Sequence, residues 1–217
     1  MGYHSRSGDG AGNARNISTL IVWLCAGKST RVRDDRRHKL LSEFDGVTLV
    51  RKSARAACCS AASRVFAVTG HRRSDIAAAL GGLDIALAFN PHFPSGIASS
   101  IIADWTAAYA VGFDGCLIML ADMPGISTLD LDRLIAVFKD AGGRAIVQAA
   151  GQGRRGNPVI LPRSLRSAIL AMQGDIGARH IIERSGIPVI EVDIGEGAHV
   201  DVDTSEAIVA AGGVLKG

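Results

Sequence analysis

Strand-like and helix-like segments alternate between residues 19 and 150, and this alternation limits the fold more than any other feature. Five apolar runs have the length of buried strands: TLIVWLCAG, RVFAVTG, DIALAFN, GCLIMLADMPG and AIVQAA. Their apolar residues are continuous rather than alternating, which is typical of strands covered on both faces. Segments with helical spacing separate them. The order predicts an α/β protein with a mainly parallel sheet between two layers of helices.

The remainder of the chain continues this pattern less regularly. GQGRRGNPVILP predicts a turn and a short strand, IPVIEVDI a further strand, and TSEAIVAAGG a closing helix, with two helices between the strands. Neither a repeat nor a Pro/Ser-rich linker divides these segments, so residues 19–217 are expected to form one domain. Residues 1–18 are rich in Gly, Ser and Asn and are expected to be disordered.

Three details of the helices are specific enough to check. The apolar residues between Val47 and Ala57 are spaced to form one stripe, so a helix is expected over the whole interval. Ser74 is predicted to N-cap the helix of SDIAAALGG, and Ser95 the helix of SGIASSIIADWTAAYAVG. These caps would fix where both helices begin.

Composition argues against several classes of function. The net charge is only +3, and no basic run dominates one half of the chain, so no nucleic-acid partner is expected. The apolar runs are too short to span a membrane. The four cysteines form no C-x-x-C pair, and no His completes a zinc site. They are expected to be reduced, and the protein to be cytoplasmic.

The segment LCAGKST ends like a Walker A phosphate loop. That loop requires a glycine five residues before Gly27, but position 22 is Val22, inside the first predicted strand. We therefore reject the P-loop interpretation. A longer basic loop remains, beginning with Gly27 at the carboxyl end of the strand, where open α/β sheets bind ligands. This loop either binds phosphates through its Lys and Arg side chains or is an ordinary solvated loop.

Acidic residues follow two later segments. Asp122 ends the most apolar strand, where it would either bind Mg²⁺ beside phosphates or cap the turn before Pro124. Asp201 and Asp203 alternate with valines in VDVDTSEA and are expected to point the same way. Asp203 and Thr204 are equally expected as the N-cap of the last helix, and for Asp203 a capping role is favoured over a binding role.

Taken in order, these motifs resemble those of one enzyme family. LCAGKSTRVRDDRRHKLL resembles the nucleotidyltransferase signature L-A-A-G-x-S-x-R-M-G-x-x-K-L-L. VTGH, NPHFPSGIASSI, LADMP, RRGNPVIL, GDIGAR and DVDT follow as in the molybdenum cofactor cytidylyltransferases. The resemblance implies a single-domain, Rossmann-like α/β/α sandwich of the nucleotidyltransferase fold. It also implies Mg²⁺-dependent transfer of CMP from CTP to the terminal phosphate of molybdenum-molybdopterin, with release of pyrophosphate.

The resemblance also implies roles for individual residues. Arg31 and Lys39 would act on the phosphates and Asp122 would bind the metal, with either Asp201 or Asp203 as its second ligand. Residues expected to bind the nucleotide or the acceptor are Ala26, Gly27, Lys28, Ser29, Arg31, Lys39, Asn90, Ser95, Gly96, Ser99, Arg155, Gly156 and Asn157. Ala26 favours CTP, because the guanylyl branch carries glycine there.

The signature loop departs from the family pattern. Arg31-Val32-Arg33 replaces Arg-Met-Gly, and two or three extra residues precede Lys39. Two alternatives therefore stay open. One is a related nucleotidyltransferase that uses another nucleoside triphosphate or a sugar or alcohol phosphate. The other is a non-catalytic chaperone that passes molybdenum cofactor to a molybdenum hydroxylase apoenzyme, which would also be the expected recipient from an active enzyme.

Overall fold

The strands and helices form one α/β unit. The computed structural model describes residues 16–25, 38–109, 112–174 and 177–215. The strands among them are β1 Thr19–Cys25, β2 Glu43–Phe44, β3 Val47–Thr48, β4 Arg64–Thr69, β5 Ala86–Phe89, β6 Gly115–Leu120, β7 Ile146–Gly151, β8 Arg154–Pro162 and β9 Val189–Asp193. The α-helices are α1 Leu49–Cys58, α2 Arg73–Ala79, α3 Ile97–Tyr109, α4 Thr128–Asp140, α5 Arg166–Leu170, α6 Ala178–Arg184 and α7 Ser205–Ala210.

Seven strands form the central sheet in the order β5-β4-β1-β6-β8-β7-β9. Strand β1 lies between β4 and β6 and is parallel to both. Strands β5 and β9 also run parallel to their neighbours. Among the strands that the structure describes in this sheet, only β8 is antiparallel to both of its neighbours. The predicted mainly parallel sheet is therefore confirmed.

Strand β8 is longer than the short strand expected and has a particular consequence for the site. It follows β7 through a two-residue hairpin at Gln152 and Gly153, whose φ angles are 51° and 72°. Because β8 runs against the other strands, its first residues lie at the edge where the parallel strands have their carboxyl ends. The hairpin thus brings the RRGNP motif to the edge of the sheet that carries Asp122.

Apolar side chains cover both faces of the sheet. On one face, Leu49 of α1, Ile76 of α2 and Leu131 of α4 are fully buried against the strands. On the other face, Trp105 of α3 and Ile169 of α5 belong to a second buried cluster. The α/β/α sandwich predicted from the sequence is confirmed.

The predicted beginnings of three helices were wrong. Helix α1 begins at Leu49, because Val47 pairs in a small β2–β3 hairpin whose turn has positive φ angles at Asp45 and Gly46. Helix α2 begins at Arg73, so Ser74 lies inside it and is not the cap. Gly96, not Ser95, immediately precedes α3. Local turns, which apolar spacing does not encode, thus determined where each helix begins.

Ser95 itself lies in the 3-10 turn Phe93–Ser95, and its hydroxyl donates to the carbonyl of His92 at 2.7 Å.

The described part of the domain begins slightly before β1. Residues 1–15, predicted to be disordered, lie outside the described residues. Ile17 packs against the core, and the backbone and hydroxyl of Ser18 both donate to Asp114, at 2.9 and 3.1 Å. Among the described helices, none combines the length and hydropathy that crossing a membrane requires.

Candidate active site

Lys39, Asp122 and Asp203 meet at the carboxyl edge of the sheet, although they are far apart in the sequence. The ammonium nitrogen of Lys39 forms ion pairs with Asp122 Oδ2 and, at 2.5 Å, with Asp203 Oδ1. The lysine side chain is 12% exposed and the two carboxylate side chains 15% and 29%. Because both oxygens contact one nitrogen, they lie within two hydrogen-bond lengths of each other.

A short 3-10 turn, Lys39–Leu41, holds the backbone of Lys39. Leu40 is buried in the core, and its N–H donates to Nδ1 of the buried His38 at 3.3 Å. The N–H of Ser42 closes the turn on the carbonyl of Lys39 at 3.2 Å. The lysine is therefore fixed at its Cα, while its long side chain extends towards the acidic pair.

The residues on either side of Asp203 fix its position. The backbone N–H of Val202, a fully buried residue, donates to the carbonyl of Asp122 at 2.9 Å. Thr204 Oγ1 accepts the N–H of Ala207 at 3.1 Å and so caps α7. Of the two residues predicted as alternative caps, Thr204 is therefore the cap, and the preference for a capping role at Asp203 was wrong. The cap at Thr204 leaves the Asp203 carboxylate to meet Lys39.

Asp201 and Asp203 are placed differently. Asp203 is partly buried and contacts Lys39, whereas Asp201 is exposed. The alternation of VDVDT predicted that both side chains would point the same way. The segment is irregular between Val200 and Thr204 rather than a strand, so the two-residue period does not apply. Asp203 is thus the aspartate of this motif that stands beside Asp122.

The charge state of Lys39 follows from its surroundings. Burial lowers the pKa of Lys39, but the charge and hydrogen bonds of Asp122, together with those of Asp203, outweigh it, so the pKa is raised above its ordinary value. Lys39 is therefore a stable cation at neutral pH and not a proton acceptor. Among the described residues, this ammonium is shared between two carboxylates.

Asp122 has unused coordination capacity. Its second oxygen, Oδ1, is buried and has no hydrogen-bond partner. An unsatisfied buried oxygen is unfavourable in a folded protein, by about 1–3 kcal/mol. Among the described residues no group of three or more His, Cys, Asp or Glu side chains could hold a metal. Two carboxylates fit Mg²⁺, which takes one or two from the protein and completes its shell with phosphate oxygens and water.

Residues 26–37, which make up most of the predicted phosphate loop, lie outside the described residues. This applies to Ala26, Gly27, Lys28, Ser29 and Arg31, whose predicted roles stay predictions. Cys25 and His38 are the described residues on either side of the loop. Cys25 ends β1 and is fully buried. Both flanking residues therefore lie in the well-packed part of the domain, on either side of the basic segment.

Asn90, Ser95 and Ser99 shape a loop next to the site. The Asn90 amide donates to the hydroxyls of Ser99 and Ser100 at 2.9 and 3.0 Å, and its oxygen accepts the N–H of His92 at 2.9 Å. Ser99 also donates to the carbonyl of His92. Asn90 is buried and holds the loop together. Its hydrogen bonds show how the loop is built, while direct nucleotide contact stays a prediction.

Aromatic rings connect this loop with the residue that precedes the 3-10 turn of Lys39. His38, the neighbour of Lys39, stacks on His71 with ring centroids 5.7 Å apart. His71 in turn lies 6.4 Å from the ring of Phe93, in the turn before α3. The loops after β1, β4 and β5 therefore stand side by side at one edge of the sheet.

A cavity of about 570 Å³ opens beside this edge. Its apolar lining includes Leu24, Ile118 and Leu120, from the carboxyl-terminal halves of β1 and β6. Its polar lining is formed by Gln148, Arg154, Arg155, Gly156, Asn157, Arg179 and Glu183. Volume and lining are typical of a site for a small organic ligand. The structure thus brings the three predicted residues of RRGNP together at one cavity.

Ion pairs order part of this lining. Arg155 Nε binds Glu191 Oε1 at 2.7 Å, and Arg179 binds Glu183 at 2.9 Å. Gln148 Nε2 donates to the carbonyl of Gly156 at 3.0 Å. Sequence reasoning missed Gln148, Arg154, Arg179 and Glu183. The RRGNP motif pointed to Arg154 and the GDIGAR motif to Arg179, but Gln148 and Glu183 carried no motif signal of their own.

Gly156 also has a packing role. A Cβ at this position would lie 2.1 Å from the carbonyl oxygen of Ala198. Strand β8 therefore needs glycine here to pass the 3-10 turn Gly195–Ala198.

The open α/β sheet, with a lysine and two aspartates at its carboxyl edge, defines a protein of the nucleotidyltransferase fold. The family model for the MobA-like NTP transferase domain matches residues 21–189. The chain belongs to this family. No match was found among curated protein sequences.

Solved structures agree with this fold. A nucleotidyl transferase from Methanothermobacter thermautotrophicus is 21% identical, with a TM-score of 0.75 over 89% of this chain and 95% of that one. Rv0371c from Mycobacterium tuberculosis H37Rv, in complex with manganese, is 22% identical, with a TM-score of 0.70 over 89% and 97%. A CMP:2-keto-3-deoxy-manno-octonic acid synthetase complexed with CTP is 13% identical, with a TM-score of 0.68 over 89% and 96%.

Proposed function

We propose that this chain transfers CMP from CTP to the terminal phosphate of a molybdopterin-type acceptor and releases pyrophosphate. The observation that carries the proposal is the meeting of Lys39, Asp122 and Asp203 beside the cavity lined by the RRGNP motif. Cationic and carboxylate groups suit a nucleotide with its divalent cation, and the adjacent cavity has room for an organic acceptor.

The reaction needs little from a general base. A phosphate monoester is already anionic near neutral pH, so its oxygen can attack the α-phosphorus of CTP directly. The new bond joins that oxygen to the α-phosphorus, and the bond from the α-phosphorus to the bridging oxygen breaks. The electron pair leaves with pyrophosphate. The protein then contributes mainly alignment and neutralisation of charge.

Each site residue that the structure describes has a part in this reaction. Asp122 and Asp203 would hold Mg²⁺, which when bound supplies charge neutralisation and orients the phosphates. Lys39 is cationic throughout the neutral range and would stabilise charge on the phosphates. Arg31, in the loop outside the described residues, is proposed to assist it. Arg154 and Arg155 stand where the acceptor would enter.

The identities of the nucleotide and of the acceptor are the most specific parts of the proposal. CTP is supported by the L-C-A-G sequence of the first motif and by the presence of CTP in the synthetase that shares this fold. A divalent cation is supported by the manganese complex of Rv0371c. The molybdopterin-type acceptor is supported by RGNP and GDIGAR, the first of which lines the cavity.

Pyrophosphate release with each of the four nucleoside triphosphates tests the proposal. The assay contains Mg²⁺ and molybdopterin, with and without molybdate. We expect release with CTP, dependent on both the acceptor and Mg²⁺. Release with another triphosphate only would show that this triphosphate, and not CTP, is the nucleotide substrate. Release with sugar or alcohol phosphates but not with molybdopterin would show that the acceptor is not of the molybdopterin type. Tight molybdopterin binding without any release would indicate the chaperone instead.

A further inference from the structure

Gln148 is the one polar side chain of strand β7. Its neighbours Val147 and Ala149 are fully buried, and Gln148 itself is half-buried where it lines the cavity. Its Nε2 donates to the carbonyl of Gly156, while its Oε1 is buried and accepts no hydrogen bond among the described residues. Packing alone would favour an apolar side chain here, because that would leave no unpaired oxygen. The hydrogen bond to Gly156 is therefore what glutamine contributes at this position.

The carbonyl of Gly156 lies where the pairing of β7 with β8 is irregular. Two residue pairs, Gln148 with Val159 and Ala150 with Arg155, flank a stretch in which three residues of β8 stand opposite one residue of β7. The three are Gly156, Asn157 and Pro158. A bulge of this kind interrupts the regular ladder, so that its backbone groups need other partners. The side chain of Gln148 is such a partner, supplied by the neighbouring strand.

The bulge carries the RRGNP motif along the cavity. Arg154 and Arg155 precede Gly156, Asn157 follows it, and all four residues line the cavity. Close packing against the 3-10 turn Gly195–Ala198 limits where Gly156 can lie, and the hydrogen bond from Nε2 fixes the direction of its carbonyl. Because each peptide unit is planar, rotation of this carbonyl would also move the residues beside it.

We propose that Gln148 is a positioning residue for the acceptor. Its amide holds the carbonyl of Gly156, and through it the course of RRGNP and the placement of Arg154, Arg155 and Asn157 at the cavity. This inference rests on the proposed nucleotidyl transfer, in which the cavity receives the acceptor.

The effect of Gln148 is expected to be selective for the acceptor. In the sheet, β8 separates β7 from β6, the strand that Asp122 follows. Lys39 comes from the 3-10 turn Lys39–Leu41, before β2. The residues proposed to act on the nucleotide are thus held by other elements. Loss of the hydrogen bond to Gly156 should therefore weaken acceptor binding and leave CTP binding unchanged.

Gln148→Met tests this inference, because methionine keeps the length of the side chain but cannot donate to the carbonyl. We expect KM for molybdopterin to rise about three- to tenfold, as the loss of one hydrogen bond implies, while KM for CTP stays unchanged. Direct binding of molybdopterin, followed by its pterin fluorescence, should weaken by the same factor. A general loss of stability would instead lower the active fraction, and so the apparent kcat, without changing either KM.

Gln152→Met is the matched control. Gln152 lies in the hairpin between the same two strands, and its Nε2 donates to Glu196 Oε1 at 2.9 Å on the surface. This variant loses a glutamine hydrogen bond outside the cavity, so both KM values should stay unchanged. If Gln148→Met does not fold, Gln148→Glu takes its place. Its carboxylate has the same shape as the amide and cannot donate, so KM for molybdopterin should rise at least as much.

Hydrogen–deuterium exchange of residues 154–157 measures the positioning without turnover. We expect faster exchange of this segment in Gln148→Met than in the wild type, because the carbonyl of Gly156 loses its fixed direction. Exchange at the wild-type rate in the folded variant would overturn the inference.

The outcomes separate this inference from the proposed function. An unchanged KM for molybdopterin in folded Gln148→Met, or an equal rise in KM for CTP, overturns the inference even when the wild type transfers CMP to molybdopterin. If the wild type neither binds molybdopterin nor releases pyrophosphate with it, the proposed function fails. The exchange measurement then decides by itself whether Gln148 positions the RRGNP segment.

Discussion

Val202 donates its backbone N–H to the carbonyl oxygen of Asp122 at 2.9 Å. This bond joins a segment near the end of the chain to the turn after β6, the central strand of the sheet. It places Asp203, the next residue, within reach of Lys39. The second acidic group of the site is therefore positioned by backbone pairing as well as by its own ion pair.

Asp203 and Asp201 form a natural pair for mutagenesis. We expect Asp203→Asn to lower kcat on the order of 100-fold, because it removes a fixed charge beside Asp122. Asp201→Asn should retain nearly full activity, since Asp201 is exposed. Steady-state pyrophosphate release by both variants checks this. A severe loss in Asp201→Asn with normal Asp203→Asn would reverse the assignment.

The cap of α7 is expected to matter for catalysis as well as for stability. Thr204→Ala should destabilise the fold by about 1 kcal/mol and also reduce activity, because the residue next to Asp203 loses its anchor. Ser127→Ala removes the comparable cap of α4, where Ser127 and Asp130 form a capping box. It should lower the melting temperature similarly without changing kcat. Equal activity in both variants would show that the cap does not position Asp203.

Gly156 is expected to be intolerant of a side chain for steric reasons. Gly156→Ala places a Cβ 2.1 Å from a backbone oxygen, and overpacking of this kind costs about 1–3 kcal/mol. The melting temperature should fall by about 2–4 °C for each kcal/mol. Gly177→Ala is the control, because φ there is −82° and no atom lies within 4 Å of the added Cβ. Differential scanning calorimetry distinguishes the two; an unshifted Gly156→Ala would contradict the packing argument.

Arg154 is expected to act on the acceptor and not on the nucleotide. Its neighbour Arg155 is held by Glu191, whereas Arg154 has no ion-pair partner among the described residues. Arg154→Ala should raise KM for the acceptor about tenfold, as loss of one charge-assisted contact of about 1.5 kcal/mol implies. KM for CTP should stay unchanged. Arg144→Ala, at a separate cavity with Lys139 and Arg163, is the control; an equal effect there would indicate a general charge effect.

Much of the architecture was predictable because it depends on apolar runs. The continuous runs at β1 and β6 could only be strands covered on both faces, and both are buried along nearly their whole length. Asp122 was predictable for the same reason, since it follows such a strand. Helix beginnings were less predictable: Arg72 and Asp45 adopt positive φ, which the sequence does not announce at non-glycine residues.

The site was predictable in its members but not in its contacts. Motif order pointed to Lys39, Asp122 and the late aspartates. The choice of Asp203 over Asp201 depended on which residue caps α7, and Asp203 and Thr204 are both good caps. The cavity lining depended on the antiparallel direction of β8. Gln148 joins it only because β7 and β8 are neighbours in the sheet.

We propose that the Lys39–Asp122–Asp203 group is the charge-neutralising part of a nucleotidyl-transfer site. Transfer of label from α-³²P-CTP to the molybdopterin acceptor, by the wild type and by Asp122→Ala, tests it most directly. We expect labelled product from the wild type and a rate at least about 100-fold lower from a folded Asp122→Ala. Near-wild-type transfer of label by that variant would contradict it.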